Sequence, residues 1–511
     1  MSLIALAAIV LAVESANPRI TGLYHDDGVY LATAQSLAET ASYRLIDVPG
    51  SPRQTKYPPI YPLLLATAWK VAPAFPQNLL LLKSVNALLL GAIVLLTYAW
   101  LTRLHGLSPT VRVTLVLLVA TAPGLFWLTD LILSELAFVA LLLLVIVSDP
   151  TDADDSRIPR FVVAGLCAGL AALTRSAGLA VCLGLVWHVW ARRGWQRAMW
   201  AAAGALVVLV PWGIALLQAP PAHNELIAYY TAYEPPAWSH LVGDPGLMSR
   251  ILLTNAGLFM RAAPMVFGLI TPLVAVVFLA VMAFGAFDRR LRGPMALAAR
   301  LLGLYALIVL AHPYPMQRYL VPLVPFAYVL MGIGWTRLAA RMSMPRLTIA
   351  PLLLLLAFNV SWLIHYRSLT RTGVHGEFGR ALPFDWSGFS ETTAWIRDHT
   401  PGSAVVASCY DSLYFLYTGR QAVRPWLHQP ERYTVGYGLT SPMPDGHRLD
   451  VDLRELGVTY LVIDPLLSGR ESDYGAASLR SVLEAAPGTW REVYRTPDNA
   501  HIVYVRGGQS R

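Results

Sequence analysis

The chain has 511 residues, of which 56% are hydrophobic and only 14% charged, and its mean hydropathy is +0.51. Soluble domains carry about 25% charged residues, so this composition excludes a soluble globular protein and indicates an integral membrane protein. The net charge of +8 does not indicate a nucleic-acid partner, because the basic residues lie in short loops between apolar segments. The three cysteines, Cys167, Cys182 and Cys409, have no Cys-x-x-Cys spacing and predict neither a metal site nor a disulfide.

The apolar segments predict a polytopic α-helical membrane protein with about 11 spans, since a helix crosses a bilayer with ~20 mostly apolar residues. The first segment, residues 2–13, is short, and its outer end extends to about residue 20. No basic residue precedes it, so it does not predict a cleaved signal peptide. The other predicted spans are 79–101, 111–128, 131–147, 161–173, 177–190, 198–217, 262–287, 295–311, 319–335 and 347–364.

Basic residues are concentrated in alternate loops, which predicts that those loops are cytoplasmic. They are Arg103, Arg112, Arg157, Arg160, Arg192, Arg193, Arg197, Arg289, Arg290, Arg292, Arg300, Arg337, Arg341 and Arg346. The N-terminus is then cytoplasmic, and the loops 26–76, 218–261 and 312–318 are extracytoplasmic, as is everything after Tyr366. Both flanks of 161–190 are basic, so this stretch crosses twice or forms a re-entrant hairpin that turns at Thr174, Arg175 and Ser176.

Two parts of the chain are predicted to fold outside the membrane. The large first extracytoplasmic loop contains an amphipathic helix at 30–39. After the transmembrane domain, 1–366, the region 367–511 alternates between helix and strand patterns, which predicts an extracytoplasmic α/β domain. These patterns lie at 391–399, 404–408, 412–417, 451–456, 460–464, 478–485, 491–494 and 502–505.

Acidic residues at the outer ends of the first and fourth spans are candidates for catalysis. Asp26 and Asp27 directly follow the first apolar segment, and a carboxylate placed there can deprotonate an incoming hydroxyl as a general base. Glu135 opens an otherwise apolar span at its outer end, where a charge is costly and usually functional. The alternative interpretation is structural: Asp27 caps a helix, and Asp130 is interfacial and solvated.

Basic residues are predicted at the same outer boundary. Lys56, beside Tyr57, lies in the first loop together with Arg53, Arg175 lies in the predicted hairpin turn, and Arg318 precedes Tyr319. An arginine at this depth can bind a phosphate through its planar fork of donors. The alternative is that these side chains extend towards lipid headgroups.

Five motifs occur together in the chain: Asp26-Asp27-Gly-Val-Tyr30, Lys56-Tyr-Pro-Pro59, Ser134-Glu135, Leu173-Thr-Arg-Ser-Ala-Gly178 and Arg318-Tyr-Leu-Val-Pro322. In this order and on this predicted side of the membrane, they resemble the C-type glycosyltransferases. These are multi-span enzymes that use polyprenyl-phosphate-linked sugars, and they include the lipid A aminoarabinose transferase and the protein O-mannosyltransferases. The resemblance covers nearly the whole chain, including the outer domain.

The resemblance implies a membrane glycosyltransferase of the hexosyl- or pentosyltransferase class in the bacterial inner membrane. It implies inverting transfer from a polyprenyl-phosphate sugar to a hydroxyl of a lipid, glycan or protein acceptor, with no nucleic acid involved. Asp26, Asp27 and Glu135 would be the catalytic residues. The donor would be bound by residues of the two basic motifs and the hairpin turn: Lys56, Tyr57, Arg175, Arg318 and Tyr319.

Two positions depart from the aminoarabinose transferase pattern. That pattern has a metal-binding acidic residue just before the lysine of the Lys-Pro-Pro motif, where this chain has Thr55, and an arginine where this chain has Val29. The lipid A transferase activity is therefore not implied. A divalent metal ion is possible, and its ligands are unknown.

Two other functions are compatible with the pattern. A transporter or flippase of polyprenyl-linked sugars would also place polar residues in outward cavities, but the charges cluster on one side and no inverted repeat is evident. A catalytically inactive binding protein of the same fold would use its outer domain to hold a partner. The retained Asp26, Glu135 and basic residues favour the enzyme.

The predicted orientation can be tested with reporter fusions. A reporter fused after Arg197 should be cytoplasmic, and one fused after Gly402 should be exported, because these positions lie on opposite sides in the predicted topology. Finding both reporters on the same side of the membrane would refute it.

Overall fold

The computed structural model describes the chain in fourteen stretches. They are 1–19, 21–22, 24–151, 157–232, 243–269, 272–286, 295–312, 315–344, 348–371, 376–377, 380–381, 385–425, 445–465 and 470–507. Four residues of the predicted cytoplasmic loops, Arg289, Arg290, Arg292 and Arg346, lie outside these residues.

A bundle of helices forms most of the chain up to residue 371. Its helices are Ser2–Ser15, Asp26–Thr40, Ile60–Val71, Leu79–Arg103, Pro109–Ala120, Pro123–Trp127, Glu135–Val147, Ile158–Ala172, Leu179–Arg193, Trp195–Leu217, Glu225–Thr231, Pro245–Val266, Pro272–Ala286, Ala296–Leu310, Val324–Arg341 and Ala350–Arg371. Short 3₁₀ segments occupy Ser176–Gly178 and Gln317–Leu323.

Five helices in the described stretches are long and apolar enough to cross a membrane. They are Leu79–Arg103, Pro109–Trp127, Trp195–Leu217, Gln317–Arg341 and Ala350–Thr370. Several further apolar helices are only 12 to 15 residues long, below the ~20 residues of a full crossing. The structure therefore confirms a mostly helical protein with membrane-spanning segments, and the number of about 11 spans stays a prediction.

Two predicted spans differ from the helices, and one predicted turn agrees with them. The predicted span 262–287 is two helices, because Pro245–Val266 ends before a break and Pro272 starts the next helix. The predicted span 131–147 becomes helical only at Glu135. The stretch 161–190 does turn back on itself, with two helices joined through Arg175 and Ser176–Gly178 as expected for a hairpin.

The first loop is more helical than its sequence indicated. The predicted amphipathic helix at 30–39 exists but begins earlier, at Asp26, and runs to Thr40. A second helix, Ile60–Val71, was not predicted; it packs against Asp26–Thr40 and buries Tyr61, Leu65 and Trp69. These helices hold the first loop against the bundle.

The C-terminal region begins with a short strand pair, β1 Gly376–Glu377 and β2 Arg380–Ala381. Five further strands follow: β3 Val405–Ala407, β4 Gln421–Val423, β5 Val458–Ile463, β6 Trp490–Arg495 and β7 Ile502–Arg506. They form a mixed sheet of order β4-β3-β5-β7-β6. β3, β4 and β5 are parallel, and β7 pairs antiparallel with β5 and β6. Helices Trp386–His399, Asp411–Thr418, Gly446–Glu455 and Arg470–Ala485 accompany the strands. The sequence patterns predicted these elements except β1, β2 and β4.

Asp130 is not solvated, contrary to the structural alternative considered from sequence. It is 1% exposed and pairs with Lys83, whose Nζ lies 2.7 Å from Oδ1. The backbone N–H of Asn17 donates to the same carboxylate, and so does the Tyr366 hydroxyl. A buried charge is tolerated when it is paired and hydrogen-bonded, so Asp130 links the segment before helix Glu135–Val147 to helices Leu79–Arg103 and Ala350–Arg371.

Helix Asp411–Thr418 of the C-terminal region packs directly on the first loop. The Ser412 hydroxyl donates to Asp47 Oδ2 at 2.9 Å. A Cβ on Gly28 would lie 2.6 Å from Ser412 Cβ, and one on Gly22, at φ +81°, would lie 1.9 Å from Leu413 Cδ1. Only glycine permits so close an approach, so these glycines seat the helix against the loop.

Asp47 should make this junction less stable at high pH. Burial, reinforced by the nearby charge of Asp411, raises its pKa to about 7, and Oδ1 is buried without a hydrogen-bond partner. A raised carboxyl pKa means that the folded state binds the extra proton, so stability falls as pH rises from the unfolded value towards 7. Each pKa unit corresponds to about 1.4 kcal/mol. Asp47→Asn should therefore raise the unfolding midpoint more at pH 8 than at pH 5.

Asp450 is the matched control for this measurement. Burial alone would raise its pKa, but the hydrogen bonds and charge of Arg506 lower it. Asp450→Asn should therefore lower the midpoint at pH 8. A gain in Asp47→Asn that does not depend on pH would contradict the assignment.

Candidate active site

Asp26 directly follows a tight backbone turn centred on His25. The Asp26 N–H donates to the Tyr24 carbonyl at 2.6 Å, and His25 has φ 60° and ψ −57°. This is a γ-turn with positive φ, a rare conformation. Strained backbone of this kind costs of the order of 1–3 kcal/mol and is concentrated at functional sites. The turn ends one loop segment and starts helix Asp26–Thr40 with its carboxylate at the first position.

Asp27 holds this loop in shape. Its carboxylate accepts three backbone N–H groups, from Gly22 at 2.6 Å and from Tyr24 and Gly28 at 3.1 Å each. Burial raises its pKa to about 6, with a contribution from the charge of Asp26, against the effect of these hydrogen bonds. Because its oxygens are directed at the backbone, the structure places Asp27 as a support for the loop rather than as a group that faces a substrate.

Both oxygens of Asp26 are engaged by side chains from distant parts of the chain. The Tyr57 hydroxyl donates to Oδ1 at 2.6 Å, and Arg318 Nη2 donates to Oδ2. Burial would raise the pKa of Asp26, but the Arg318 charge and these hydrogen bonds together lower it to about 2. Asp26 is therefore ionised at neutral pH and still about one-fifth exposed.

Glu135 completes a cluster of two carboxylates and two guanidiniums. Its Oε1 lies 2.8 Å from Arg175 Nη1 and 3.3 Å from Arg318 Nε. These are ion-pair distances without hydrogen-bond alignment, and Oε2 has no hydrogen-bond partner although it is buried. Arg175 donates instead to the Ser134 hydroxyl at 3.2 Å, and that hydroxyl also pairs with Tyr30.

One hydrogen-bond donor of Arg318 has no acceptor among the described residues. Nη2 contacts Asp26, and Nε lies close to Glu135 and to Met316 Sδ, but Nη1 is buried with no hydrogen-bond partner. A buried hydrogen-bond donor without an acceptor costs about 1–3 kcal/mol, and more when it is charged. A ligand that brings an acceptor oxygen to this atom would recover that cost.

The other predicted donor-binding residues lie next to this cluster. The guanidinium of Arg175 is 5.6 Å from the Tyr319 ring centre, within range of a cation–π contact. Lys56 Nζ donates to the Tyr229 carbonyl at 2.9 Å and lies 4.4 Å from the Tyr229 ring centre. The structure thus joins Asp26 and Glu135 through direct contacts with Arg318, and it places Lys56 against Tyr229.

The described residues do not fit a divalent metal ion at this place. Asp26 and Glu135 are each compensated by arginine, and the Asp27 carboxylate is used by backbone N–H groups. Within the described stretches no group of three or more His, Cys, Asp or Glu side chains is placed to hold a cation. Mg²⁺ and Ca²⁺ need several oxygen ligands, and among these three carboxylates only Glu135 Oε2 is not already engaged by a neighbouring group.

A second cluster, which sequence reasoning missed, surrounds His25. His25 Nδ1 lies 3.3 Å from Asp411 Oδ1, and its ring lies against Tyr229 and Tyr230. The Tyr230 hydroxyl donates to Asp411 Oδ2 and accepts the Arg424 N–H at 2.7 Å. We call these five residues the His25 cluster. No sequence signal joins them, because they come from the first loop, the 218–261 loop and the C-terminal region.

Comparison with solved structures identifies the fold. ArnT from Cupriavidus metallidurans bound to undecaprenyl phosphate aligns with TM-score 0.58 and 14% identity over 99% of this chain and 98% of that one. The Archaeoglobus fulgidus oligosaccharyltransferase tethered to an acceptor peptide aligns with TM-score 0.60 and 12% identity, over 99% and 74%. The arabinofuranosyltransferase AftD from Mycobacteria gives 0.56 and 16%, over 99% and 40%.

All three solved structures are C-type glycosyltransferases, so the resemblance predicted from the sequence motifs is confirmed as a shared fold. No protein-family profile matches the sequence, and no curated protein matches it in sequence. At 12 to 16% identity, the structural similarity shows the fold alone.

Proposed function

We propose that this protein transfers a sugar, with inversion, from a polyprenyl-phosphate-linked donor to a hydroxyl of a lipid, glycan or protein acceptor. One observation carries the proposal. Arg318 contacts the candidate base Asp26 with one nitrogen and leaves Nη1 buried and unpartnered beside it. The candidate base Asp26 therefore contacts a guanidinium that still has a free nitrogen with which to bind a phosphate.

The donor phosphate is proposed to bind at Arg318 and Arg175. A phosphate oxygen can accept from Arg318 Nη1, and arginine makes charge-assisted, directional hydrogen bonds to phosphate. The solved ArnT structure with undecaprenyl phosphate supports a lipid-phosphate ligand for this fold. Lys56, which lies beside Tyr57 in the first loop, would add positive charge near the site.

Donor binding is proposed to activate the base. In the free protein the Arg318 charge helps hold the pKa of Asp26 near 2. A carboxylate with so low a pKa is a weak proton acceptor. A phosphate on the same guanidinium offsets that positive charge, and the pKa of Asp26 rises towards a value suited to general-base catalysis. Tyr57 keeps its hydrogen bond to Oδ1 and fixes the direction of the carboxylate.

The chemical step then follows from these contacts. Asp26 accepts the proton of the acceptor hydroxyl while the oxygen of that hydroxyl attacks the anomeric carbon from the face opposite the phosphate. The bond from that carbon to the phosphate oxygen breaks, and the lipid phosphate leaves with the electron pair. Arg318 and Arg175 stabilise the charge that develops on the phosphate, and preorganised electrostatic help of this kind is usually the largest catalytic contribution.

The proposed location is the bacterial inner membrane, with the site and the C-terminal domain on the extracytoplasmic side. The distribution of arginines along the chain supports this orientation. The polyprenyl tail would lie in the outer leaflet and deliver its phosphate to the bundle end that carries Asp26.

Asp26→Asn should abolish transfer while the protein stays folded. Asparagine keeps an oxygen for Tyr57 but cannot accept a proton, and loss of a general base costs ~10²–10⁴-fold in rate. The measurement is turnover with a panel of polyprenyl-phosphate sugars, alongside the thermal midpoint. Asp27→Asn should reduce activity less, because Asp27 supports the loop.

Near-normal turnover in Asp26→Asn would show that Asp26 is not the base. If Asp27→Asn alone were inactive, the two roles would have to be exchanged. Asp450→Asn, in the C-terminal sheet domain, is the control for a buried aspartate that lies away from the site.

Arg318→Lys should weaken use of the donor although it keeps the charge. Lysine has one compact donor group and cannot contact Asp26 and a phosphate with separate, fixed nitrogens. We expect KM for the donor to rise, and Arg318→Ala to be worse because it leaves the buried Glu135 and the partly exposed Asp26 poorly compensated. Arg454→Lys, on an exposed side chain, is the matched control. An unchanged donor KM in Arg318→Lys would argue against phosphate binding there.

A further inference from the structure

We propose that Asp411 of the C-terminal domain is a positioning residue for the reaction: through His25 it holds the strained turn that aims Asp26. This inference rests on the proposed function, because it assigns how the base is oriented. It makes the C-terminal domain part of the active site rather than an appended module.

The backbone conformation at His25 shows why the position of Asp26 depends on neighbouring residues. The γ-turn at His25 places a residue with a Cβ at φ 60°, a conformation that glycine adopts readily and other residues disfavour. Such a conformation persists only when its surroundings determine it. Asp26 is the next residue, so any relaxation of the turn rotates the carboxylate away from Tyr57 and Arg318.

The surroundings of His25 are supplied largely from outside the loop. His25 is 7% exposed, Nδ1 lies 3.3 Å from Asp411 Oδ1, and Tyr229 and Tyr230 cover the ring with centroids at 5.3 and 5.8 Å. Burial lowers the pKa of His25, against the effect of Asp411, and the approach of Nδ1 to Asp411 is an ion-pair distance without hydrogen-bond alignment.

Asp411 is itself fixed on its other side. Its Oδ2 accepts from the Tyr230 hydroxyl, and the Arg424 guanidinium lies nearby with Nε and Nη2 donating to the Cys409 carbonyl. The side chain is 2% exposed. Tyr230 holds Oδ2 and Oδ1 faces His25 Nδ1, so the contact comes from a buried, fixed carboxylate and not from a mobile surface charge.

The position of Asp411 in the sheet supports a functional role. β3 ends at Ala407 and β4 at Val423, so Asp411 and Arg424 follow the carboxyl ends of two parallel strands. α/β domains bind their ligands in the crevice at this edge. Here that edge holds His25 of the first loop, and Gly22 and Gly28 let helix Asp411–Thr418 approach closely enough to do so.

The first test is a split between kcat and donor KM. Asp411→Asn should lower kcat about 10- to 100-fold, because small misplacement of a catalytic group can cost ~10²-fold. Donor KM should change little, since Arg318 and Arg175 remain. Asp450→Asn removes an equally buried carboxylate of the same domain that does not touch the loop, and its kcat per folded protein should be normal.

The second test is a double-mutant cycle that separates positioning from folding. His25→Gly adopts φ 60° without strain, so in that background the turn no longer depends on Asp411. Asp411→Asn should then cost less than threefold instead of 10- to 100-fold, a clear departure from additivity. Equal losses in both backgrounds, or a wild-type kcat in Asp411→Asn, would overturn the proposal.

Hydrogen exchange gives a readout that does not need activity. The N–H groups of Gly22, Tyr24, Asp26 and Gly28 are all hydrogen-bonded in the turn and should exchange faster in Asp411→Asn but not in Asp450→Asn. If exchange rises while the wild type shows no sugar transfer, the positioning role stands and the proposed function fails. If the wild type transfers sugar but exchange and kcat are unchanged in Asp411→Asn, the positioning role fails alone.

Discussion

Arg318 lies between the buried Glu135 and the partly exposed Asp26 and contacts both carboxylates. Removing one partner from a buried ion pair typically costs 3–5 kcal/mol, because the remaining charge stays desolvated. The four members of the cluster come from four separate segments, namely the first loop, the start of helix Glu135–Val147, the hairpin turn and the 3₁₀ segment Gln317–Leu323. These segments must therefore meet at one place, which fixes how the helices end around the site.

The sequence predicted the members of this cluster better than its geometry. Charged residues at the ends of apolar segments are costly, and their scarcity makes Asp26, Glu135, Arg175 and Arg318 conspicuous in the chain. Asp130 has the same signature, yet its partner Lys83 lies within an apolar helix and makes a structural ion pair. Hydropathy registers that both charges exist but not that they meet, because pairing depends on how helices pack.

Other features were beyond the sequence for identifiable reasons. The predicted span 262–287 is a continuous apolar run in the sequence, and hydropathy does not register that helix Pro245–Val266 ends within it. Helix Ile60–Val71 is too short to be recognised as a span. The contact of His25 with Asp411 joins residues almost four hundred positions apart, and neither residue belongs to a spacing motif. The alternation of helices and strands after residue 385 was predictable because each element has its own local period.

The charges of the cluster also explain why a donor-dependent base suits this site. In the free protein the two carboxylates and two guanidiniums cancel, so the cluster is neutral while it is empty. The proposed donor, a polyprenyl-phosphate sugar, is a phosphodiester and would add one negative charge, which would weaken the effect of Arg318 on Asp26. In the proposed transfer the acceptor proton moves to Asp26, so the base loses its charge as the leaving phosphate monoester gains one. The total charge of the site would therefore stay constant through the transfer, and no net charge would have to be created in a largely buried cluster.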